Sequence, residues 1–145
     1  MTMADWVRSA RADDTGDLLL QMDIEGCEYE TLLSMPDDLL QRCRVAVIEF
    51  HGLHQLWSRP FFRVASMAFY KLLQTHACVH LHPNNCRSAI RLQGIDVPRV
   101  MEFTFLRRDR FNQASLATQF PHPLDADNTD ADTLVLPECW YSDRL

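Results

Sequence analysis

The 145 residues carry a formal net charge of -6, with 47% hydrophobic and 23% charged side chains, the composition of one ordinary globular domain. The acidic balance disfavours a general nucleic-acid or anionic-membrane binder, and no apolar run approaches the roughly 20 residues that span a bilayer. Five cysteines without a C-x-x-C pair argue against a disulfide framework or a zinc knuckle, and the first residues carry no secretory signal. A cytoplasmic setting is therefore expected, with Cys27, Cys43 and Cys78 as buried thiols.

In chain order, residues 4–15 read as a short helix or lead-in around Trp6 and Val7. Residues 18–24 are apolar almost throughout, as in a strand covered on both faces. Gly26 lets the backbone turn sharply into a helix near 27–34, where Tyr29, Leu32 and Leu33 form an apolar face. Pro36, Asp37 and Asp38 start a second short helix through about Arg42. Residues 45–50 form the next buried strand. Ser58 and Pro60 then open a helix in which Phe61, Ala65, Ala68, Phe69, Leu72 and Leu73 recur at helical spacing. Residues 77–82 are a third strand, closed by the turn Pro83-Asn84-Asn85, and residues 100–106 are a fourth. This order predicts an α/β fold with a mostly parallel sheet and a terminal antiparallel strand pair. Beyond Phe111 the pattern weakens. Asp125, Asp127 and Thr129 echo a calcium loop, but Asp130 and Pro137 stand where its glycine and glutamate belong, so no calcium site is expected. Leu134–Leu136 and Trp140 are expected to dock the tail onto the body.

Three of these strands end in ionisable or amide side chains. The first offers Asp23, Glu25 and Glu28; the second Glu49, His51 and, one loop on, His54; the third His80, His82, Asn84 and Asn85. Ligands of an open parallel sheet collect beyond the carboxyl ends of its strands, so these groups can converge on one cleft. Plainer readings stand beside this one. Asp23, Glu25 and Glu28 can cap the following helix, the histidines can be surface or satisfied core residues, and the asparagines can serve turn geometry alone. Imidazole with carboxylate could also hold zinc or iron, as in a metal hydrolase, but nothing in the spacing fixes that geometry and no metal is expected. Histidine beside carboxylates is suited to taking a proton from a hydroxyl.

Four ordered segments carry a family likeness: Met-Asp-Ile-Glu-Gly-Cys-Glu at 22–28, Val-Ile-Glu-Phe-His at 47–51, His-Leu-His-Pro-Asn-Asn at 80–85, and Pro-Arg-Val-Met-Glu-Phe-Thr-Phe-Leu-Arg-Arg-Asp at 98–109. Together they resemble the C-terminal half of FkbM-type methyltransferases, over residues 17–110. The resemblance implies S-adenosylmethionine-dependent O-methylation on a Rossmann-like class I sheet, in which the four strands are the fourth to seventh. It implies substrate-side roles for Asp23, Glu25, His51 and His82, oriented by Glu28, Glu49, Asn84 and Asn85, with Arg99 and Arg107 as holders of an acidic acceptor. The acceptor expected is a sugar or another hydroxylated small molecule.

In that family the cofactor lies mainly on the first three strands, after a glycine-rich turn. The four glycines here, Gly16, Gly26, Gly52 and Gly94, form no G-x-G. The expectation is a truncated methyltransferase: a lead-in at 1–16, a partial domain at 17–110 and a partly looped extension at 111–145. Its first strand would be an exposed edge, able to pair with another chain. The alternative is a non-catalytic remnant or interaction module that uses this edge.

Overall fold

The computed structural model describes residues 2–10, 16–117 and 120–142. Its elements are α1 (Met3–Ala10), β1 (Leu18–Met22), α2 (Glu28–Ser34), α3 (Asp37–Arg42), β2 (Cys43–His51), α4 (Arg59–Thr75), β3 (His76–Pro83), β4 (Ile90–Leu92), β5 (Ile95–Val97) and β6 (Val100–Arg107). The main helices and strands fall where hydrophobic spacing places them. The small β4–β5 hairpin is additional, since three-residue strands are too short for alternation to register.

The main sheet has the order β1-β2-β6-β3. β1 and β2 are parallel neighbours, whereas β6 runs antiparallel to both β2 and β3. The expected mostly parallel sheet is thus corrected to one parallel pair and two antiparallel ones. The cause is that β6 lies between β2 and β3 and pairs with both. Because both neighbours oppose β6, β1, β2 and β3 still point the same way, and their carboxyl ends share one edge.

Alternation along β2 divides the sheet into two faces. Ala46, Ile48 and Phe50 are buried, and their partners on β6 are Phe105, Phe103 and Met101. They pack with Tyr29 and Leu32 of α2 and with Ala65, Ala68 and Leu72 of α4 in one core. The Phe50 ring stacks on Phe69 at 4.5 Å and meets Phe103 edge-on at 5.3 Å. Glu49 and His51 consequently point to the opposite face, at the end of the strand.

Beyond β6 the tail folds back. Leu136 enters the core, and the Trp140 indole N–H donates to the Asp96 carbonyl at 3.2 Å. Asn85 is the main anchor. Its buried carboxamide donates to the carbonyls of Thr129 (3.1 Å) and Ala131 (2.8 Å) and accepts from the Thr129 N–H at 3.0 Å. Asn85→Ala leaves those groups unpaired and is expected to cost about 2 kcal/mol, with faster proteolysis at 120–132. Urea unfolding and limited proteolysis measure both.

Asp125 holds the tail to β3, accepting from His80 Nε2 at 2.9 Å and from the His122 N–H at 2.8 Å. Burial pushes the Asp125 carboxyl upward, but the His122 N–H and the His80 and His82 charges outweigh it and hold the group below the usual carboxylate range. A depressed folded value stabilises the fold above the unfolded-state pKa of about 4. That contribution is lost as the pH falls toward the folded value. Denaturation midpoints at pH 6 and pH 3 are expected to draw together when Asp125 is replaced by asparagine. Cys43 is buried as expected and its thiol is pushed up to about 11 by burial, whereas Cys27 and Cys78 are exposed, a correction to the sequence reading.

Candidate active site

The site is built where β1 and β2 end side by side. After Met22 the chain leaves the sheet, and Glu25 and Gly26 adopt φ of 56° and 106°. For Gly26 this costs nothing, but a non-glycine residue in the left-handed region costs roughly 1–2 kcal/mol. The turn folds back so that Glu28, the first residue of α2, can accept the Gly26 N–H at 2.9 Å and the Ile24 N–H at 3.3 Å. Glu28 therefore does cap the turn, and it is fully buried in doing so.

The same Glu28 oxygen lies 3.0 Å from His51 Nδ1. A carboxylate accepts, so Nδ1 bears the hydrogen and Nε2 faces outward. The Tyr29 hydroxyl fixes the backbone there, donating to the His51 carbonyl at 2.8 Å. Burial pushes the Tyr29 phenol well above its ordinary range, which keeps it a donor. Around His51 Nε2 stand Glu49 Oε2 at 3.4 Å, Glu25 Oε2 at 3.5 Å and Asp23 Oδ1 at 3.9 Å. The other oxygen of Glu49 accepts from Asn84 Nδ2 at 2.9 Å, and Asn84 Oδ1 accepts from the Cys86 N–H at 2.9 Å. Two like charges 4 Å apart repel by roughly 4 kcal/mol at an effective dielectric constant of about 20. Four carboxylates around one imidazole are therefore an environment that favours cations.

A cleft of about 610 Å³ opens beside this cluster, lined by Glu25, Glu49, His51, His54, Asn84, Arg87 and Arg99 among others. Two of its lining residues, Arg87 and Arg99, are basic. Burial, then the charges of Arg99 and Arg87, hold His54 below the usual imidazole range. The cleft thus sets carboxylates against guanidinium groups.

A sequence model of the FkbM methyltransferase domain matches residues 4–78, just over half the chain. The chain belongs to the FkbM methyltransferase family. The matched span runs from α1 into β3, so it contains Asp23, Glu25, Glu28, Glu49 and His51. No curated protein and no solved structure matches the chain.

Of the side chains singled out for this FkbM-family member, the structure brings together Asp23, Glu25, Glu28, Glu49, His51 and Asn84. His82 and Asn85 do not join them. His82 Nδ1 faces Asp125 at 3.7 Å, and Asn85 is spent on the tail. Both placements have one cause: the tail occupies the end of β3. Arg99 lines the cleft, but Arg107 sits at the other end of its strand, bound to Asp17 and Asp109. Arg87 escaped the sequence reading. It follows the Pro83-Asn84-Asn85 turn, and a chain reversal at a strand end returns the next residues to the same edge. Glu25 tests the cost of the turn: Glu25→Gly is expected to stabilise the fold by about 0.5–1 kcal/mol while weakening function, since strain of this kind gathers at working sites. Thermal melts read the first effect.

Proposed function

We propose that this chain provides the acceptor side of an S-adenosylmethionine-dependent O-methyltransferase. The observation that carries the reading is the Glu28–His51 pair opening onto Glu25, Glu49 and the cleft. Glu28 fixes the imidazole, and His51 and Glu49 orient the acceptor hydroxyl. Glu25, with 85% of its side chain exposed and at the cleft wall, takes the proton. Arg87 and Arg99 favour an acceptor that also carries an acidic group, which a guanidinium binds with two parallel hydrogen bonds. The cleft does not fit the cofactor itself. The cleft lining is charged and has neither an aromatic platform nor a glycine-rich turn for a nucleoside. The nucleoside therefore needs a surface other than this cleft.

Transfer of a tritiated methyl group from S-adenosylmethionine to hydroxylated acids tests the reading. Glu25→Gln is expected to slow transfer by about 10²- to 10⁴-fold, the range for general bases. Equal rates in parent and variant would sink the assignment. Calorimetry with S-adenosylmethionine alone separately reads whether the chain holds the cofactor.

One observation favours a second reading, an interaction module. Among the described residues β1 pairs with β2 alone, and Leu19 is 69% exposed on this edge strand. Such an edge can accept a strand from another chain. Leu19→Lys is expected to abolish concentration-dependent association in gel filtration, and a chain monomeric at every concentration tested excludes self-pairing.

A further inference from the structure

The cluster at the ends of β1 and β2 has the spacing of a ligand sphere. Asp23, Glu49 and His51 each offer one ligand atom, and these atoms lie within 4.8 Å of one another. Ions bound at about 2.0–2.2 Å hold their ligands roughly 3–4 Å apart. His51 Nε2 is 3.4 Å from Glu49 Oε2 and 3.9 Å from Asp23 Oδ1.

A proton on Nε2 explains this spacing poorly. A charge-assisted N–H···O bond draws its acceptor in to about 2.7–2.9 Å. Here three carboxylates stand off at 3.4, 3.5 and 3.9 Å, and none has closed. Carboxylate oxygens gathered near Nε2 without closing on it leave room for a cation among these groups.

The outer contacts agree. A metal-bound histidine characteristically gives its second ring N–H to a carboxylate, which fixes the tautomer and makes the free nitrogen a better ligand. Glu28 does this for His51 at 3.0 Å. Asn84 holds one oxygen of Glu49 at 2.9 Å, while the other faces the histidine. Both inner groups are thus oriented from behind, whereas the exposed Asp23 is free to swing in.

We propose that Asp23, Glu49 and His51 bind a divalent first-row cation, with its open positions toward the cleft. One imidazole with two carboxylates is a mixed donor set that suits Mn²⁺, Fe²⁺ or Zn²⁺ better than Ca²⁺. Glu25 stays beside the ion as the base. An acceptor oxygen on the ion would lose its hydroxyl proton more readily. No metal was expected because nothing in the spacing fixes a ligand geometry; the ligand set joins two strands, brought together by the pairing of β1 with β2. The second histidine cluster is not equivalent. Both Asp125 oxygens there are already hydrogen-bonded, at 2.9 and 2.8 Å.

The assignment stands on the side-chain cluster and not on methyl transfer, so its test needs no cofactor. The full chain, freed of metal by chelation, is titrated with MnCl₂ while the paramagnetic resonance signal of aqueous Mn²⁺ is followed. Uptake of a single ion per chain, displaced by ZnCl₂, is expected. Asp23→Asn is expected to weaken binding at least ~10-fold, and Glu28→Gln by about 10- to 100-fold, the range for groups behind a ligand. His80→Ala is expected to bind as the parent does. Asp23 is exposed, so its variant folds even if changes at His51 do not. Absence of stoichiometric uptake overturns the proposal, as does an Asp23→Asn variant that binds as tightly as the parent or a His80→Ala variant that loses the ion.

Discussion

Glu28→Ala is expected to destabilise the chain by about 3 kcal/mol, because it strips a buried acceptor from several hydrogen-bond donors at once and leaves them unpaired. The side chain is fully buried, and one of its oxygens serves Ile24 N–H, Gly26 N–H and His51 Nδ1. Alanine leaves all three groups without that acceptor and removes the hydrogen bond that reaches from α2 to the His51 ring. It also relaxes the turn, because the left-handed backbone of Glu25 is held against its own preference by this closure. For a chain of this size the loss corresponds to a fall in Tm of roughly 10 °C. Glu28→Gln keeps the shape and one acceptor oxygen, so its cost is expected to be about 1–2 kcal/mol. Urea and thermal unfolding measure both variants. A Glu28→Ala variant within about 1 kcal/mol of the parent would show that the carboxylate does not organise the turn.

That turn also marks how far the sequence could be read. Gly26 announced a sharp reversal, and the structure has one, but it starts a residue earlier at Glu25. Glutamate carries no local signal for a positive φ. The conformation follows from Glu28 pulling two backbone N–H groups onto one oxygen. The strands were legible because β2 and β6 alternate buried and open residues with period two, and α4 because its core residues recur with helical spacing. Strand order was not legible from those patterns. Each strand of a sheet reads the same whether its neighbour is parallel or antiparallel, so only pairing could place β6 between β2 and β3.

Convergence at the site divides along the same line. Asp23, Glu49 and His51 meet because β1 and β2 are adjacent and parallel, a consequence of a connection through two helices that the sequence displays. The third strand was expected to contribute equally. It delivers Asn84, but His80 is bound by Asp125 and His82 faces the same carboxylate at 3.7 Å. Asp125 lies more than forty positions downstream in a loop without periodicity. Long-range polar contacts of that kind leave no trace in local pattern. The rejected calcium loop is instructive here, since Asp125 and Thr129 do have polar work, as tail anchors to β3 and to Asn85.

Phe50→Ala is expected to cost about 3–5 kcal/mol, the usual range for deleting a buried phenylalanine. The ring is fully enclosed, stacked on Phe69 at 4.5 Å and flanked by Phe103 and Tyr29, each at 5.3 Å. Those neighbours belong to a strand and two different helices, so the void cannot close by moving one element. The consequence for function follows from strand alternation. Phe50 lies between Glu49 and His51, and its anchorage in the core sets the height at which both side chains emerge on the other face. Phe50→Leu keeps most of the apolar volume and is expected to cost about 1–1.5 kcal/mol, leaving a folded chain at 25 °C. In that variant Mn²⁺ uptake and methyl transfer are expected to fall more than stability does, because shifts of about 1 Å in a site can cost 10²-fold in rate. Stability and uptake falling in proportion would mean instead that the core supports the fold alone, and that Glu28 and Asn84 suffice to hold the site.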